Sequence, residues 1–434
     1  MRTKTVLSSL FFTCTISALT PIASAEPPPP EPSPGRQLEV TVIKGKQLPK
    51  LLNMEASNYS VMAVIGDRLE AIPYQFDDKN TRGLTFVPGG KLPVEGQEGI
   101  IEDNDELVLM YKDMAAKASP EIIQALTGNI ISELEISEKN SNRFAYIVEG
   151  NKERSEKTYA SYDIKTGLVS TETYSLQLDP KNILVWSDWN IKSLADTPSA
   201  PNVLDTMKIR IRAKLGFIKA TIHNSLVPIR TLAVKNGPVR TVVEADASLS
   251  ILGINLAKAG VSTTFTAQTI EYPVFAALPN AAGALSSLDI SVTLDHVDLD
   301  GSRYRTALGP EEPLITATKE SGKLKENYTM DLDNPWVSIS SGRNWDMYFF
   351  FFHEDNFLPT LDAVYNDAKA GSDVDKPERY KGSNTEIGIA LSDIPVGLET
   401  SLHCNLYFGP DLWQGNNPEI AANDILNPAV VMVN

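Results

Sequence analysis

From Gln37 onward the chain alternates apolar and polar residues over short runs. Leu38–Ile43, Ser60–Ile65, Arg143–Val148, Thr171–Leu178 and Met207–Ile211 follow this rule, with turn residues between the runs. A period of two belongs to a half-buried strand, because successive side chains point to opposite faces of a sheet. Helical spacing is scarce. It predicts one helix over Pro120–Ile131, with Ile122, Ile123, Leu126 and Ile130 on its apolar stripe, and a shorter one over Leu358–Ala370. Met347-Tyr-Phe-Phe-Phe-Phe-His353 does not alternate, so it predicts an inner strand buried on both faces. Many short strands punctuated by Gly, Pro and Asn predict an all-β protein of sandwich type.

The same pattern suggests the domain plan. An N-terminal Ig-like β-sandwich is expected over 36–160, connecting strands and a linker over 161–200, and a larger, supersandwich-like β-sandwich over 201–434. The junction is placed at Ser193–Asn202, which is rich in Pro, Ser and Ala. Ahead of these lies Met1-Arg-Thr-Lys4, a largely apolar run from Val6 to Leu19, and Ala23-Ser-Ala25. That order reads as a secretory signal cleaved after Ala25, with a Pro-rich tether at 26–35, and it places the mature chain in the periplasm or outside the cell. No later run reaches the roughly 20 apolar residues that a membrane-spanning helix needs.

Composition narrows the partners. The 434 residues carry 39 Lys+Arg against 55 Asp+Glu, a net charge of -16, which argues against nucleic acid. Of the two cysteines, Cys14 leaves with the signal, so Cys404 alone remains and no intramolecular disulfide is expected.

Ile72-Pro-Tyr-Gln-Phe-Asp77-Asp78 is followed, beyond Lys79–Ile101, by Glu102-Asp-Asn-Asp-Glu106-Leu-Val-Leu-Met. Carboxylates crowded in loops are hard-oxygen ligands, so Asp77, Asp78, Asp103 and Asp105 have two readings: a solvated acidic turn or a Ca²⁺ site. The segment resembles the "PxQxDD…DEL" signature in the N-terminal sandwich of some secreted polysaccharide-lyase-like bacterial proteins. There a larger β-supersandwich follows, and the signature marks a scaffold domain. This chain departs from it in having the long Lys79–Ile101 link. Asp295-His-Val-Asp298-Leu-Asp300-Gly is a second acidic cluster, read as a turn or a metal site.

Met207–Lys214 carries a charge inversion. Alternation sets Lys208, Arg210, Arg212 and Lys214 on one strand face and Met207, Ile209, Ile211 and Ala213 on the other. Same-face neighbours lie ~7 Å apart, inside the ~8 Å screening length, so something anionic must cover them. The cover is either this protein's own carboxylates or an anionic ligand: a uronate or sulfate sugar, or phosphate headgroups. Arg240 is a candidate fifth cation and Lys235 a sixth.

The four histidines, His223, His296, His353 and His403, show no local zinc spacing. His223 follows the basic strand closely enough to share its sheet, and it or a nearby Tyr is the candidate base should the chain be a lyase, with Arg210 or Arg212 neutralising a carboxylate. His403-Cys404 reads as one buried Cys and one half-exposed His. Trp186 and Trp189, expected on opposite strand faces, and Trp336, Trp345 and Trp413 are candidates for stacking on sugar. No nucleophile elbow, phosphate loop or dinucleotide fingerprint occurs. Together these features predict an exported, non-catalytic protein that binds an anionic carbohydrate-like ligand or serves as a cell-envelope accessory factor. A polysaccharide lyase acting on uronate polymers, and a structural or assembly protein at the cell surface, are the alternatives.

Overall fold

The computed structural model describes residues 27–138, 141–194, 201–226, 229–251, 254–277, 285–297, 299, 301–307, 325–353, 359–366, 385–394 and 399–434. The signal segment therefore lies outside the described residues. So do 195–200 of the expected junction, and Asp298 and Asp300 of the second acidic cluster. The described strands form five sheets, in which every mapped ladder is antiparallel. The protein is all-β.

Two sheets make the N-terminal sandwich. Val40–Lys44, Glu106–Met110 and Tyr74–Asp77 form the smaller; Val431–Val433, Asn129–Glu138, Ser141–Glu149, Tyr59–Ile65 and Arg68–Ala71 form the larger. Ile43, Val61, Ala63, Leu107, Leu109, Leu134 and Ile147 fill the space between them. Alternation is the cause, since Leu134 and Ile136 are buried while Glu133 and Glu135 are only half-buried. The expected helix at 120–131 is only the turn Pro120–Gln124, started by Pro at its N-terminus and the Ser119 cap. From Asn129 the alternating pattern takes over as a strand, and Ile122 joins Met62, Phe144 and Tyr146 in a small outer cluster.

The chain termini revise the domain plan. Val431–Val433 pairs with Leu134–Ile136, so the last residues belong to the N-terminal sandwich and not to the larger one. The Pro-rich stretch is also held down: the Ser33 hydroxyl donates to Asp424 at 2.5 Å, and the Pro30 carbonyl accepts from Arg143. The short helix Pro34–Leu38 lies against the helix Pro418–Leu426.

The larger unit pairs a six-stranded sheet with an eight-stranded one. The first runs Ile218–His223, Leu204–Leu215, Ser287–His296, Thr385–Ser392, Thr360–Asn366 and Lys325–Thr329. Residues 161–194 are not a connector. They supply most of a four-stranded sheet, Ala160–Asp163, Leu168–Thr171, Tyr174–Asp179 and Asn182–Ile191, whose Val169, Tyr174, Leu176 and Trp189 enter the same core as Met207, Phe265 and Phe351.

Two side-chain patterns turn out differently from one another. Asp346–His353 is an inner strand as expected, with Met347, Phe349 and Phe351 in the main core and Tyr348 and Phe350 against Trp413 and the two terminal helices. The helix expected at Leu358–Ala370 is instead the strand Thr360–Asn366 over its described part, with Leu361 and Ala363 in the core. Thr360, Val364 and Tyr365 favour that outcome, because β-branched and aromatic side chains suit a pleated surface better than a helix.

Candidate functional site

The distinctive N-terminal motif closes on the larger unit. Gln75 projects from Tyr74–Asp77 to the turn Gly237-Pro-Val-Arg240, where its carbonyl oxygen accepts from the backbone N–H of Val239 at 3.0 Å and of Arg240 at 2.9 Å. Gly237 permits this approach, since a Cβ there would stand 2.2 Å from the Gln75 oxygen. The Arg240 guanidinium then reaches Asp77 at 2.7 Å and Glu106 at 2.6 Å, and it also donates to the Thr85 hydroxyl at 3.2 Å. Lys235 meets the second Asp77 oxygen at 2.8 Å, and Lys79 meets Glu106 at 2.8 Å, with Lys44 beside it. Burial works to raise both carboxyls, but the Arg240 charge, with Lys235 on Asp77 and Lys79 on Glu106, overcomes it and holds both below the usual carboxylate range.

This network corrects two expectations. Arg240 is buried inside ion pairs and faces no ligand. The carboxylates expected to gather round Ca²⁺ are otherwise engaged. Asp77 belongs to Arg240 and Lys235; Asp78 accepts from Gly99 N–H at 3.0 Å; Asp105 accepts from the N–H groups of Lys79 and Glu102 at 3.1 and 2.7 Å; and Asp103 is exposed. Among the described residues no group of three or more His, Cys, Asp or Glu side chains is placed to hold a metal ion.

The basic strand divides in two. Lys208 is 3% exposed and pairs with Asp295 at 2.6 Å across the ladder from Leu204–Leu215 to Ser287–His296. Arg210 is equally buried and donates to the Ile209 carbonyl. These two are interior groups, not ligand contacts. Arg212 and Lys214 are exposed, with Arg212 donating to Ser291 at 3.1 Å. His223 does share the sheet, standing directly across from Arg210. Of the two arginines expected to neutralise a substrate carboxylate there, Arg210 is shut off from solvent and Arg212 is exposed.

Local structure also settles the aromatic candidates. A bulge pairs Trp189 with Leu176 and Trp186 with Leu178, leaving Ser187 as the extra residue. The two indoles therefore share a face, at right angles with centroids 6.0 Å apart, rather than pointing oppositely. All five tryptophans are at most 3% exposed, so none forms an open stacking platform. His296 is a core residue 6.0 Å from the Trp345 ring, and burial pushes it down to about 4 despite its bond to the Val203 carbonyl. His403 and Cys404 are both half-buried.

A cleft of about 340 Å³ opens where the three parts of the molecule meet. Its apolar wall includes Trp345, Phe408 and Ile191; Gln268 and Thr173 add polar groups; and Lys112, Lys192 and Glu172 bring charge. Lys112 pairs with Glu172, and the Lys192 ammonium donates to the Thr171 carbonyl. Two buried atoms on the lining residues, Gln268 Oε1 and Trp345 Nε1, have no hydrogen-bond partner among the described residues. Of these residues only Trp345 stood out in the sequence; the rest come from separate segments around 112, 172, 191, 268 and 408 and carry no motif.

No family model matches the chain, and no curated protein matches it either. Among solved structures it is similar to an alpha-mannosidase from Enterococcus faecalis, with 10% identity and a TM-score of 0.47 over 91% of this chain and 44% of that one. A glycosyl hydrolase family 38 protein from the same organism gives 10% identity and 0.48 over 93% and 46%. A putative aldose 1-epimerase from Klebsiella pneumoniae gives 9% identity and 0.35 over 59% and 82%. The chain thus spans less than half the length of the two Enterococcus proteins.

Proposed function

We propose that the protein is an exported, non-catalytic binder of an acidic, carbohydrate-like ligand, held in the cleft between its sandwich units. The observation that carries this reading is the make-up of the cleft. An apolar wall backs the cleft, while Gln268 and Thr173 offer hydrogen bonds and Lys112 and Lys192 offer charge for a carboxylate or sulfate. Its 340 Å³ falls within the roughly 300–1,000 Å³ of small-ligand clefts. The sequence supplies the remaining element, an amino-terminal export signal.

The lyase alternative draws on His223 standing across from Arg210. At 3% exposure Arg210 is closed to a polymer, so elimination would fall to the exposed Arg212, which stands across from Thr221 and not from His223. Calorimetric titration with glucuronate-type oligosaccharides, run beside an absorbance trace for new unsaturated bonds, tests the choice. Binding without an absorbance rise is expected, with Lys112→Gln and Lys192→Gln each weakening it about tenfold, as befits loss of a charge-assisted contact worth ~1.5 kcal/mol. A steady absorbance rise would select the lyase. Affinity that ignores both lysines would move the site elsewhere.

A further inference from the structure

The exposed half of the basic strand ends in a feature the cleft does not use. Leu204–Leu215 and Ile218–His223 form a hairpin closed by the pair Leu215 and Ile218, which leaves Gly216-Phe217 as a two-residue loop. Gly216 has a φ of 58° while Phe217 keeps a negative one, the sign pattern of a turn with glycine first, matched to strand twist. Phe217 is thereby set at the apex. It is 94% exposed, the most exposed large apolar side chain among the described residues, and Ile218 next to it is 45% exposed.

Charge surrounds this apex. Arg212, Lys214 and Lys219 are all exposed, and Lys214 and Lys219 stand directly across from each other. Asp289 faces Arg212, and Ser287 faces Lys214. Among the described ladder neighbours of the tip, Lys214 and Lys219 have no carboxylate directly opposite, on a chain whose net charge is -16. Ile218–His223 is also the edge strand of its sheet.

We propose that this hairpin tip docks on an anionic lipid surface, with Phe217 and Ile218 entering the interface and Lys214, Lys219 and Arg212 meeting headgroup phosphates. An aromatic apex and flanking lysines supply the two signals, apolar burial and charge attraction, that together hold a protein at a bilayer. A soluble polyanion would engage the cations and leave Phe217 in water, so dependence on the phenyl ring separates the two partners. The inference does not rest on the cleft, because the hairpin contributes none of its lining residues.

Cosedimentation of the full chain with vesicles of phosphatidylglycerol and phosphatidylcholine tests it, with pure phosphatidylcholine vesicles as the neutral arm. Binding to the anionic vesicles alone is expected, weakened about fivefold by each of Lys214→Gln and Lys219→Gln and at least as much by Phe217→Ser. A Phe217→Trp variant should show a blue shift in emission on adding the anionic vesicles. These side chains are exposed, so the variants keep the fold. No binding to anionic vesicles overturns the proposal. So does binding that is indifferent to Phe217→Ser, which would assign the cations to a soluble polyanion. Phe217-dependent dimerisation in sedimentation velocity without vesicle binding would make the tip a self-contact instead.

Discussion

Replacing Arg240 by Met is expected to cost about 3–5 kcal/mol of folding stability, read as a lower midpoint in urea at unchanged slope. The guanidinium is the shared partner of Asp77 and Glu106, both buried, and without it two carboxylates face each other in a low-dielectric interface. Lys235 and Lys79 remain but reach only one carboxylate each. Converting the acids as well, in Asp77→Asn with Glu106→Gln, should recover much of the loss, since the charge left unpaired is what destabilises. A triple variant no better than Arg240→Met alone would assign the cost to packing of the turn at Gly237–Arg240. Acid should reveal the same network. Both carboxyls are held below their unfolded values, so their contribution is complete above about pH 5 and drains away as pH falls through the unfolded toward the folded values. Between pH 6 and pH 3 the wild type should therefore lose more stability than the Asp77→Asn, Glu106→Gln protein.

The second large effect divides one strand face. Lys208→Met should cost about 3–5 kcal/mol, because it removes the ammonium paired with the buried Asp295 carboxylate, whereas Lys214→Gln, six residues on and exposed, should stay within about 0.5 kcal/mol. Pairing Lys208→Met with Asp295→Leu removes both charges and should restore most of the loss. If Lys208→Met melted with Lys214→Gln, the ion pair would be energetically idle and the strand uniformly solvated. A loss of this size also changes the meaning of a charge-removal experiment on the whole strand. Weak ligand binding after mutation of Arg210 or Lys208 would reflect an injured core, so only Arg212 and Lys214 report on surface contacts.

Local misreadings have physical causes that can be named. The Leu358–Ala370 segment carried apolar residues at spacings that suit either period, and ladder partners on both sides, Lys325–Thr329 and Thr385–Ser392, decided for a strand. Trp186 and Trp189 share a face because of one extra residue in a ladder, and a bulge leaves no mark in an alternation count. The acidic motif was conspicuous, yet its partner Arg240 lies 163 residues from Asp77 and belongs to another sandwich. Acidic loops read alone suggest a cation; here the cation is a side chain.

The sequence by itself determined what depends on neighbours along the chain: the all-β class, the inner aromatic strand at Asp346–His353, and the alignment of Lys208, Arg210, Arg212 and Lys214 on one face. Strand geometry imposes these, since a period of two fixes sidedness whatever the strand packs against. Tertiary structure decided which charges are interior, which carboxylate answers which cation, where a cleft opens, and that the last strand returns to the first sandwich. Those outcomes turn on what lies across a sheet or an interface. Burial, which converts a solvated charge into an ion pair worth several kcal/mol when broken, is a property of the folded neighbourhood and not of the local pattern.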